Sequence, residues 1–370
     1  MNRRKDVVLI TGGSGFLAQH LIRELLLRCA EKISEIRLAD IQPYHQFLDF
    51  EDCDVSLKEL VVNCADKYQL ESAVEGATVV FNLASKNYSF TCEPANHQEF
   101  EDSNVLAVEN LLQLMRKHGV RRLIHVSDAL ASIPPGEFLG QSEIGTLEQP
   151  SQWLLGVYSE TKFRAEVAVR KCNSIDRIVL RPGYLYGEGD TGLVPHALMM
   201  CQKFGMMPVV GDGLGGNIHL TYAGNAAAML VHAWKELERR SSTLSGEVFF
   251  CTEAAPTTQY FQYVAPFVEA AGFQLSSFSV PYYCAAYISW FVEVLSRVCG
   301  VAVCGSEFPS HRFVQLMGAW GQGFSHIKAR LLLDFRPPYH PEEAMQQTVA
   351  WWTEKLSRRK AQSDRNATRG

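Results

Sequence analysis

The sequence lacks the patterns that mark several common classes of protein. Its ten cysteines include no CxxC pair and no cluster with histidine, so they predict neither a disulfide framework nor a metal site. There is no secretory signal and no internal repeat, and we therefore expect the cysteines to be reduced thiols. No long basic stripe is present and the net charge is −5, which argues against nucleic acid as a partner.

A long uninterrupted hydrophobic run is also missing. Residues 280–303 approach the length of about twenty residues that a membrane-spanning helix needs, but Glu293 and Arg297 interrupt them. These two charges are four residues apart and can pair on one helical face. The segment begins with aromatic residues that suit a membrane interface, namely Tyr282, Tyr283, Tyr287 and Trp290. We therefore expect a helix that lies on a membrane surface, and the alternative is a buried helix of a C-terminal lobe.

The composition allows a large core. The 370 residues are 47% hydrophobic, enough for one large α/β domain or for a core with a smaller lobe. Strand signals alternate with helical signals, the strands at residues 35–40, 77–84, 121–127 and 176–181 and the helices at residues 19–29, 103–118 and 151–171. This rhythm predicts a doubly wound parallel sheet. We expect a core over residues 1–190, mainly a substrate-binding lobe over 191–356 that returns some strands to the core, and a polar, disordered tail over 357–370.

A glycine-rich turn follows the first strand-like segment and leads into a helix. Gly12 permits the tight turn, Gly15 lets the backbone approach a phosphate, and Ala18 keeps helix and strand close. The following helix, residues 19–29, directs free N–H groups and a partial positive charge toward an anion. This order of elements predicts a site for the pyrophosphate of a dinucleotide.

The second strand signal ends at Asp40, downstream of the glycine turn. A carboxylate at this position can accept hydrogen bonds from the adenosine ribose hydroxyls and repels a 2′-phosphate. Ile41 follows, where proteins that bind NADP often have a basic residue. Asp40 and Ile41 together favour NAD over NADP as the cofactor. The alternative is that Asp40 only caps the end of a strand.

Tyr158 and Lys162 are four residues apart on one face of a predicted helix. A phenol has a pKa of about 10 and is a poor base at neutral pH. A neighbouring ammonium group favours the phenolate and lowers the phenol pKa. The tyrosine can then exchange a proton with a substrate alcohol while a hydride moves to or from nicotinamide.

Together these motifs resemble an extended short-chain dehydrogenase with a Rossmann-type core. The residues that carry this resemblance are the glycine turn at 11–18, Asp40, residues 82–84, Tyr158 with Lys162, and residues 181–187. Two later segments, residues 218–227 and 340–351, are similar to parts of the 3β-hydroxysteroid dehydrogenase/isomerase family. The resemblance extends from about residue 6 to residue 356.

The resemblance implies NAD-linked oxidation of the 3β-hydroxyl of a steroid or sterol. Some members of the family also move a ring double bond from Δ5 to Δ4, and others act on sterol 4-carboxylates that lose CO₂ after oxidation. It is consistent with a membrane surface location through residues 280–303, at the endoplasmic reticulum or a lipid droplet, with the cytoplasm as the alternative. It also implies a possible homodimer through the Tyr158 helix.

Carried over residue by residue, the resemblance makes Tyr158 the acid/base, Lys162 its electrostatic partner, and Asn104 part of a supporting helix. Asn63, followed by Cys64, stands where the family often has Gly-Asp, and asparagine can still hydrogen-bond to adenine. Asp66 better fits the N-cap of the next helix. The expected cofactor-binding residues are Gly12, Gly15, Phe16, Leu17, Asp40, Asn63, Cys64, Ala84, Tyr158, Lys162, Pro182 and Gly183.

The strand before the expected active site departs from the family's pattern. The family normally ends this strand with two small hydroxyl residues, the second being the catalytic serine, whereas this chain has Ser127 followed by Asp128. Counting from the start of the strand puts Asp128 at the catalytic position, and neighbours in an extended segment point to opposite sides. An ionised Asp128 raises the pKa of Tyr158 and opposes the effect of Lys162.

Three interpretations of this departure stay open. A local bulge restores Ser127 to the site, Asp128 points elsewhere, or the dehydrogenase is slow or inactive and the chain binds NAD and a sterol without turnover. Asp128 can mimic the serine donor only if it is protonated. From a pKa of about 3.9, neutrality at pH 7 needs a shift above roughly 3 units, which Lys162 opposes.

Overall fold

The computed structural model describes residues 5–50, 53–92, 96–211, 216–305 and 307–367. Its strands are β1 (Asp6–Thr11), β2 (Ile33–Asp40), β3 (Ser56–Val61), β4 (Val79–Asn82), β5 (Arg122–Val126), β6 (Phe138–Gln141), β7 (Asp176–Pro182), β8 (Tyr184–Tyr186), β9 (Met207–Val210), β10 (Asn217–Ile218), β11 (Leu220–Tyr222), β12 (Val248–Cys251), β13 (Thr258–Gln259), β14 (Leu275–Val280) and β15 (Gln322–Phe324). Its α-helices are α1 (Phe16–Cys29), α2 (Lys67–Val74), α3 (His97–Phe100), α4 (Ala107–Lys117), α5 (Val157–Lys171), α6 (Leu193–Phe204), α7 (Ala223–Leu244), α8 (Tyr260–Ala270), α9 (Tyr282–Cys299), α10 (His311–Gly318) and α11 (Pro341–Ala367).

Seven parallel strands form the central sheet, in the order β12-β7-β5-β4-β1-β2-β3. Val8 of β1 pairs with Ile36 of β2 on one side and with Val79 of β4 on the other. The strand order reverses between β1 and β4, and the carboxyl ends of strands at such a point bound a crevice in which ligands bind. The predicted doubly wound Rossmann-type sheet is therefore confirmed.

Helices cover both faces of the sheet because successive strand residues point to opposite sides. Val8 and Ile10 of β1 belong to the same core cluster as Ile22 of α1. Leu9, between them, belongs to the cluster on the other face, which includes Leu111 of α4. The near-continuous apolar strands of the sheet are thus explained by burial on two sides.

A third core cluster lies beyond the sheet and joins α6, α8, α10 and the start of α11. β12 comes from the same later part of the chain but pairs with β7 in the central sheet. Apart from β12, the strands after residue 195 therefore lie in short two-stranded sheets.

A fully buried ion pair fixes α5 against the central sheet. Arg181 of β7 donates two hydrogen bonds, of 2.7 and 2.6 Å, to the carboxylate of Glu166 on α5. Thr146 accepts two more from the same guanidinium group. Removal of one partner of such a pair costs about 3–5 kcal/mol, so α5 is held firmly in place.

The aromatic segment at 280–303 forms α9, which lies on the surface. Tyr283 is 83% exposed, and Tyr287 and Trp290 are also exposed. The alternative of a buried helix is therefore wrong, because only small parts of the helix face the protein. Among the helices that the structure describes, none combines the length and apolar character needed to cross a membrane.

The polar tail differs from the expectation of disorder. α11 continues past residue 356 and ends at Ala367, while residues 368–370 lie outside the described part. Glu354 and Arg358 pair across one helical turn, and strong helix formers such as lysine, arginine and alanine continue the sequence. High polarity here is typical of an exposed helix.

Candidate active site

A cavity of about 730 Å³ lies at the carboxyl edge of the sheet. Its volume falls within the range of about 300–1,000 Å³ that is usual for ligand sites. Eleven of the fourteen expected catalytic and cofactor-binding residues line it: Gly12, Gly15, Phe16, Leu17, Asp40, Ser127, Asp128, Tyr158, Lys162, Pro182 and Gly183. The fold thus brings the glycine turn and the Tyr158 helix to one cavity.

The glycine turn is packed too tightly for side chains. Gly12 has a φ of +70°, and a Cβ on it would lie 2.8 Å from the backbone nitrogen of Ala84. A Cβ on Gly13 would lie equally close to Leu38. Ala84 therefore packs against the turn and does not line the cavity.

The amino end of α1 is open toward this turn. Gly15 is its N-cap and provides no side-chain hydrogen bond, so the first N–H groups of the helix are left without a capping side chain. An uncapped helix start beside a glycine cradle suits the pyrophosphate of a dinucleotide.

The Asp40 carboxylate is fixed at the end of β2. One oxygen accepts a 3.0 Å hydrogen bond from the backbone N–H of Ser14, and the other accepts one of 3.0 Å from that of Gln42. The carboxylate also lines the cavity. It therefore joins the glycine turn to the strand end at the place where an adenosine ribose is expected.

Asn63 and Cys64 lie outside the lining of the cavity. The Asn63 side chain accepts a hydrogen bond from the backbone N–H of Ala65 at 2.9 Å. Cys64 is buried, and its burial, with the nearby Asp40, raises the pKa of the thiol to about 12. Asp66 caps α2 as expected, accepting from two backbone N–H groups.

Tyr158 and Asp128 form the closest polar contact at the centre of the site. The phenol donates a 2.5 Å hydrogen bond to Oδ2 of Asp128. Lys162 donates a 3.0 Å hydrogen bond to the carbonyl of Val126, one turn along α5 from the phenol. Asp128 therefore points toward Tyr158, and the interpretation in which it points elsewhere is wrong.

Ser127 keeps the ordinary path of the strand. Its backbone N–H donates to the carbonyl of Leu180 at 2.8 Å, and the β5–β7 register is unbroken up to it. Its hydroxyl is buried and has no hydrogen-bond partner among the described residues. The expected bulge that would bring Ser127 to Tyr158 is therefore not observed.

The ionisable groups of the site alter one another's pKa values. Burial raises the pKa of Asp128, while the hydrogen bond from Tyr158 and the charge of Lys162 oppose this rise. Burial, and then Asp128, raise the pKa of Tyr158 well above its usual value. Burial lowers the pKa of Lys162 to about 8, against the effect of Asp128. Such an arrangement can store and transfer a proton.

Asn104 connects two parts of the site through its hydrogen bonds. Its amide donates to Thr161 of α5 at 3.0 Å and accepts from the backbone N–H of Lys86 at 2.9 Å. It lies in an irregular, π-helical turn (Glu101–Leu106) before α4. Such turns are frequent at functional sites.

Among the lining residues that sequence reasoning missed are Tyr88, Phe90 and Asp190. The Tyr88 ring lies 6.0 Å from the Tyr158 ring, and Phe90 lies beyond it. Asp190 accepts hydrogen bonds from two backbone N–H groups, and burial raises the pKa of its carboxyl to about 6. Only Asp190 had a local signal, the pair of glycines at 187 and 189 after a strand.

A second, almost wholly apolar cavity of about 430 Å³ lies beside α9. Met200 and Met206 are among the residues that line it. Phe90 of the first cavity contacts Phe313 of the second, with ring centroids 5.5 Å apart. A layer of aromatic rings thus separates the two cavities.

Within the described ranges, no group of three or more histidine, cysteine or acidic side chains could hold a metal ion. The cysteines in the same ranges are all free thiols.

Curated proteins similar to this chain include two fungal relatives of nearly full length. The sterol-4-alpha-carboxylate 3-dehydrogenase ERG26, decarboxylating, of Candida albicans is 29% identical over 96% of this chain and 100% of its own length. The protein of the same name in Saccharomyces cerevisiae is 28% identical over 95% of this chain and 99% of its own. The 3beta-hydroxysteroid-dehydrogenase/decarboxylase isoform 2 of Arabidopsis thaliana is 26% identical over 92% of this chain. This chain spans only 61% of the Arabidopsis protein.

Solved structures with a similar fold include MoeE5 in complex with UDP-glucuronic acid and NAD. Its TM-score is 0.66 at 18% identity, over 94% of this chain and 99% of that one. A UDP-galactose 4-epimerase has a TM-score of 0.64 at 16% identity, over 95% and 99% of the two chains. At such identities the likeness shows the fold.

The family model covers most of the chain and agrees with the motifs at the cavity. The model of the 3-beta hydroxysteroid dehydrogenase/isomerase family matches residues 9–282, which include the glycine turn, Asp128, Tyr158 and Lys162. This chain belongs to the 3-beta hydroxysteroid dehydrogenase/isomerase family.

Proposed function

We propose that this chain is an NAD-dependent dehydrogenase that oxidises the 3β-hydroxyl of a steroid or sterol to a 3-ketone. The observation that carries the proposal is the single cavity that holds both the glycine turn and the Tyr158–Asp128–Lys162 group. The glycine turn would hold the pyrophosphate of a dinucleotide in the same cavity as these side chains, where a hydroxyl proton can be exchanged.

The residues of the cavity fit NAD. Gly12 and Gly15 would hold the pyrophosphate at the open start of α1, and Asp40, which lines the same cavity, would accept hydrogen bonds from the adenosine ribose. Pro182 and Gly183 line the cavity, and the Pro182 carbonyl accepts a 2.9 Å hydrogen bond from the backbone N–H of Ala129, the residue after Asp128. When bound, NAD supplies the acceptor for the hydride that leaves C3.

The substrate class is supported by apolar surroundings and by the curated relatives. Tyr88 and Phe90 line the same cavity as Tyr158, and the apolar cavity lies behind them. The fungal relatives are named for sterol 4-carboxylates, and we propose such a sterol as the substrate. Oxidation at C3 makes this compound a β-keto acid, which loses CO₂ because the carbonyl accepts the electron pair. We assign no residue to a Δ5–Δ4 isomerisation.

We also propose that α9 rests on a membrane surface, which would suit a sterol substrate. Its outer face carries exposed Tyr283, Tyr287, Trp290 and Phe291. Aromatic side chains at this density are typical of helices that lie in the headgroup region. The endoplasmic reticulum or a lipid droplet would provide such a surface.

The test is formation of NADH by purified, detergent-solubilised protein with 3β-hydroxysterols, with and without a 4-carboxyl group. We expect turnover, with CO₂ released from the 4-carboxylate, and a loss of about 10²–10⁴-fold in Tyr158→Phe. Tyr68→Phe is the matched control, because Tyr68 is 89% exposed on α2 and does not line the cavity.

A second candidate function follows from Asp128, which holds the phenol in a hydrogen bond. The chain would then bind NAD and a sterol without oxidising it. Saturable NAD binding with no turnover of any substrate, in the wild type and in Asp128→Ser, would favour this candidate over the dehydrogenase.

A further inference from the structure

The hydrogen bond between Tyr158 and Asp128 decides which group can take up a proton. The phenol oxygen lies 2.5 Å from Oδ2 of Asp128, and burial together with Asp128 raises the pKa of Tyr158 well above its usual value, so the phenol holds its proton at neutral pH. The other oxygen of Asp128 accepts a 2.7 Å hydrogen bond from the backbone N–H of Leu130. Both oxygens of Asp128 thus have a hydrogen-bond partner, and in its ionised form the carboxylate accepts from both.

A phenol in this state cannot act alone as the base. To accept the proton of a substrate hydroxyl, Tyr158 must release the proton it holds. The nearest acceptor is the Asp128 carboxylate, 2.5 Å away. A serine at position 128 could not take up this proton, because its hydroxyl is already protonated and weakly basic.

We propose that Asp128 receives the substrate's hydroxyl proton through Tyr158 during oxidation. The substrate O–H bond breaks as an O–H bond forms on the phenol oxygen, while the original phenol O–H bond breaks and one forms on Oδ2 of Asp128. The hydride from C3 goes to NAD, the acceptor in the proposed dehydrogenase reaction on which this inference rests. In the reverse direction the protonated Asp128 returns the proton through Tyr158 to the carbonyl oxygen.

The groups around Asp128 support this assignment. From α5, Lys162 places a positive charge near the carboxylate and opposes its protonation. From β8, the Tyr184 phenol is neutral, since burial raises its pKa well above the usual value. From β5, His125 is neutral at pH 7, since burial lowers its pKa to about 3. From the segment after β4, Tyr88 is also neutral, with a pKa that burial raises to about 12. Lys162 is thus the nearby charge that balances Asp128.

The direction of the pH dependence follows from this assignment. Burial raises the pKa of Asp128, and oxidation needs its ionised form. The kcat for oxidation is therefore low below this pKa and rises as the pH increases through it. The kcat for ketone reduction needs the protonated form and falls over the same interval.

The kinetic test compares wild-type protein with Asp128→Asn and Asp128→Ser. An amide cannot take up the proton, so Asp128→Asn should lose about 10²–10⁴-fold in kcat for oxidation. In Asp128→Ser, Tyr158 must ionise instead, so the rising limb of the pH profile should move to more alkaline pH. Asp66→Ser is the matched control, because Asp66 caps α2 and serine is an equally good N-cap.

Two kinetic results would overturn the proposal. One is an Asp128→Asn variant as active as the wild type. The other is an Asp128→Ser variant that is faster at every pH with an unmoved limb, which would make Asp128 an inhibitory substitution. Thermal unfolding of each variant separates these results from a failure to fold.

A measurement without substrate tests the coupling between the two side chains directly. The tyrosinate absorbance of Tyr158 is obtained as the difference between each protein and its Tyr158→Phe counterpart over a pH titration. We expect the phenol to ionise at clearly lower pH in Asp128→Ser than in the wild type, because the neighbouring carboxylate is gone. Identical titrations would overturn the proposal. A clear difference without turnover in any variant would instead overturn the dehydrogenase function.

Discussion

Lys162 brings a positive charge into a site whose other central charge is the carboxylate of Asp128. The lysine side chain is buried, and its hydrogen bond to the Val126 carbonyl holds it at the end of β5. Its pKa of about 8 means that the ammonium group begins to lose its proton just above neutral pH. In a site with serine at position 128 this charge would act mainly on the phenol. Here it also stabilises the ionised form of Asp128.

Replacement of Lys162 by methionine should therefore move the pH profile of oxidation. Without the ammonium group the pKa of Asp128 rises, so the rising limb should shift to higher pH by about 1–3 units. Thermal stability should fall at pH values where Asp128 is ionised, because its buried charge loses a positive neighbour and the Val126 carbonyl loses a hydrogen bond. The pH dependence of kcat tests the shift of the limb, and the Tm tests the effect on stability. A downward shift of the limb would contradict the assignment of Asp128.

Single residues also show where sequence reasoning reached its limit. Counting along the strand put Asp128 at the catalytic position, because alternation along a strand is a local property, but it left open whether the side chain points to Tyr158, as it does in the structure. The sequence did not predict the contact between Ala84 and Gly12, since this contact depends on how closely two strand ends approach each other. Tyr88 and Phe90 lie in a segment without helix or strand period, so no local pattern indicated that their rings would face the cavity.

At the scale of helices and strands, features set by the local sequence were likewise predictable, whereas features set by the rest of the fold were not. The strands of the central sheet were predictable because burial on both faces leaves near-continuous apolar runs. The observed helix boundaries differ from the predicted ones by several residues. For example, α5 begins at Val157, whereas the sequence predicted a helical segment from residue 151. The length of α11 was underestimated, because exposed charged residues are compatible with both a helix and a disordered tail.

α9 provides the clearest prediction for a whole element. Tyr287 and Trp290 stack on each other on the exposed face, with ring centroids 5.7 Å apart. The double replacement Tyr287→Ser and Trp290→Ser should weaken binding to phosphatidylcholine–phosphatidylethanolamine vesicles at least tenfold, which corresponds to about 1.4 kcal/mol. Co-sedimentation with the vesicles measures the effect.

The control for this experiment is Tyr68→Ser on α2, which removes an exposed aromatic side chain from another surface. Its vesicle binding should equal that of the wild type. Equal weakening in both proteins, or tight binding that survives the double replacement, would contradict a membrane contact through α9. Glu293 pairs with Arg297, which lies seven residues after Trp290 on the same face of α9, so this end of the helix would lie at the level of the polar headgroups, since charges deeper in the bilayer are costly.

At the scale of the whole molecule, distant parts of the chain meet at the cofactor end of the cavity. Lys355 of α11 lines the cavity together with the glycine turn. The Trp351 ring of α11 lies 6.0 Å from that of Phe47, near the end of β2. Just before α11, the carbonyl of Tyr339 accepts a 2.9 Å hydrogen bond from Asn225 of α7. A dinucleotide in this cavity would thus contact the N-terminal sheet and lie close to the C-terminal helix.

NAD should therefore stabilise the folded chain as a unit. At a concentration one hundred times its Kd, a ligand adds about 2.7 kcal/mol, so we expect the Tm to increase by roughly 3–6 °C. NADP should give a much smaller increase, because its 2′-phosphate would meet the carboxylate of Asp40. Asp40→Asn should reduce the NAD effect and narrow the difference between the two nucleotides. Asp66→Ser, which alters a carboxylate that does not line the cavity, should leave both shifts unchanged. Equal shifts with NAD and NADP in the wild type would mean that Asp40 serves only to join the strand end to the glycine turn, and that the cofactor preference lies elsewhere in the cavity.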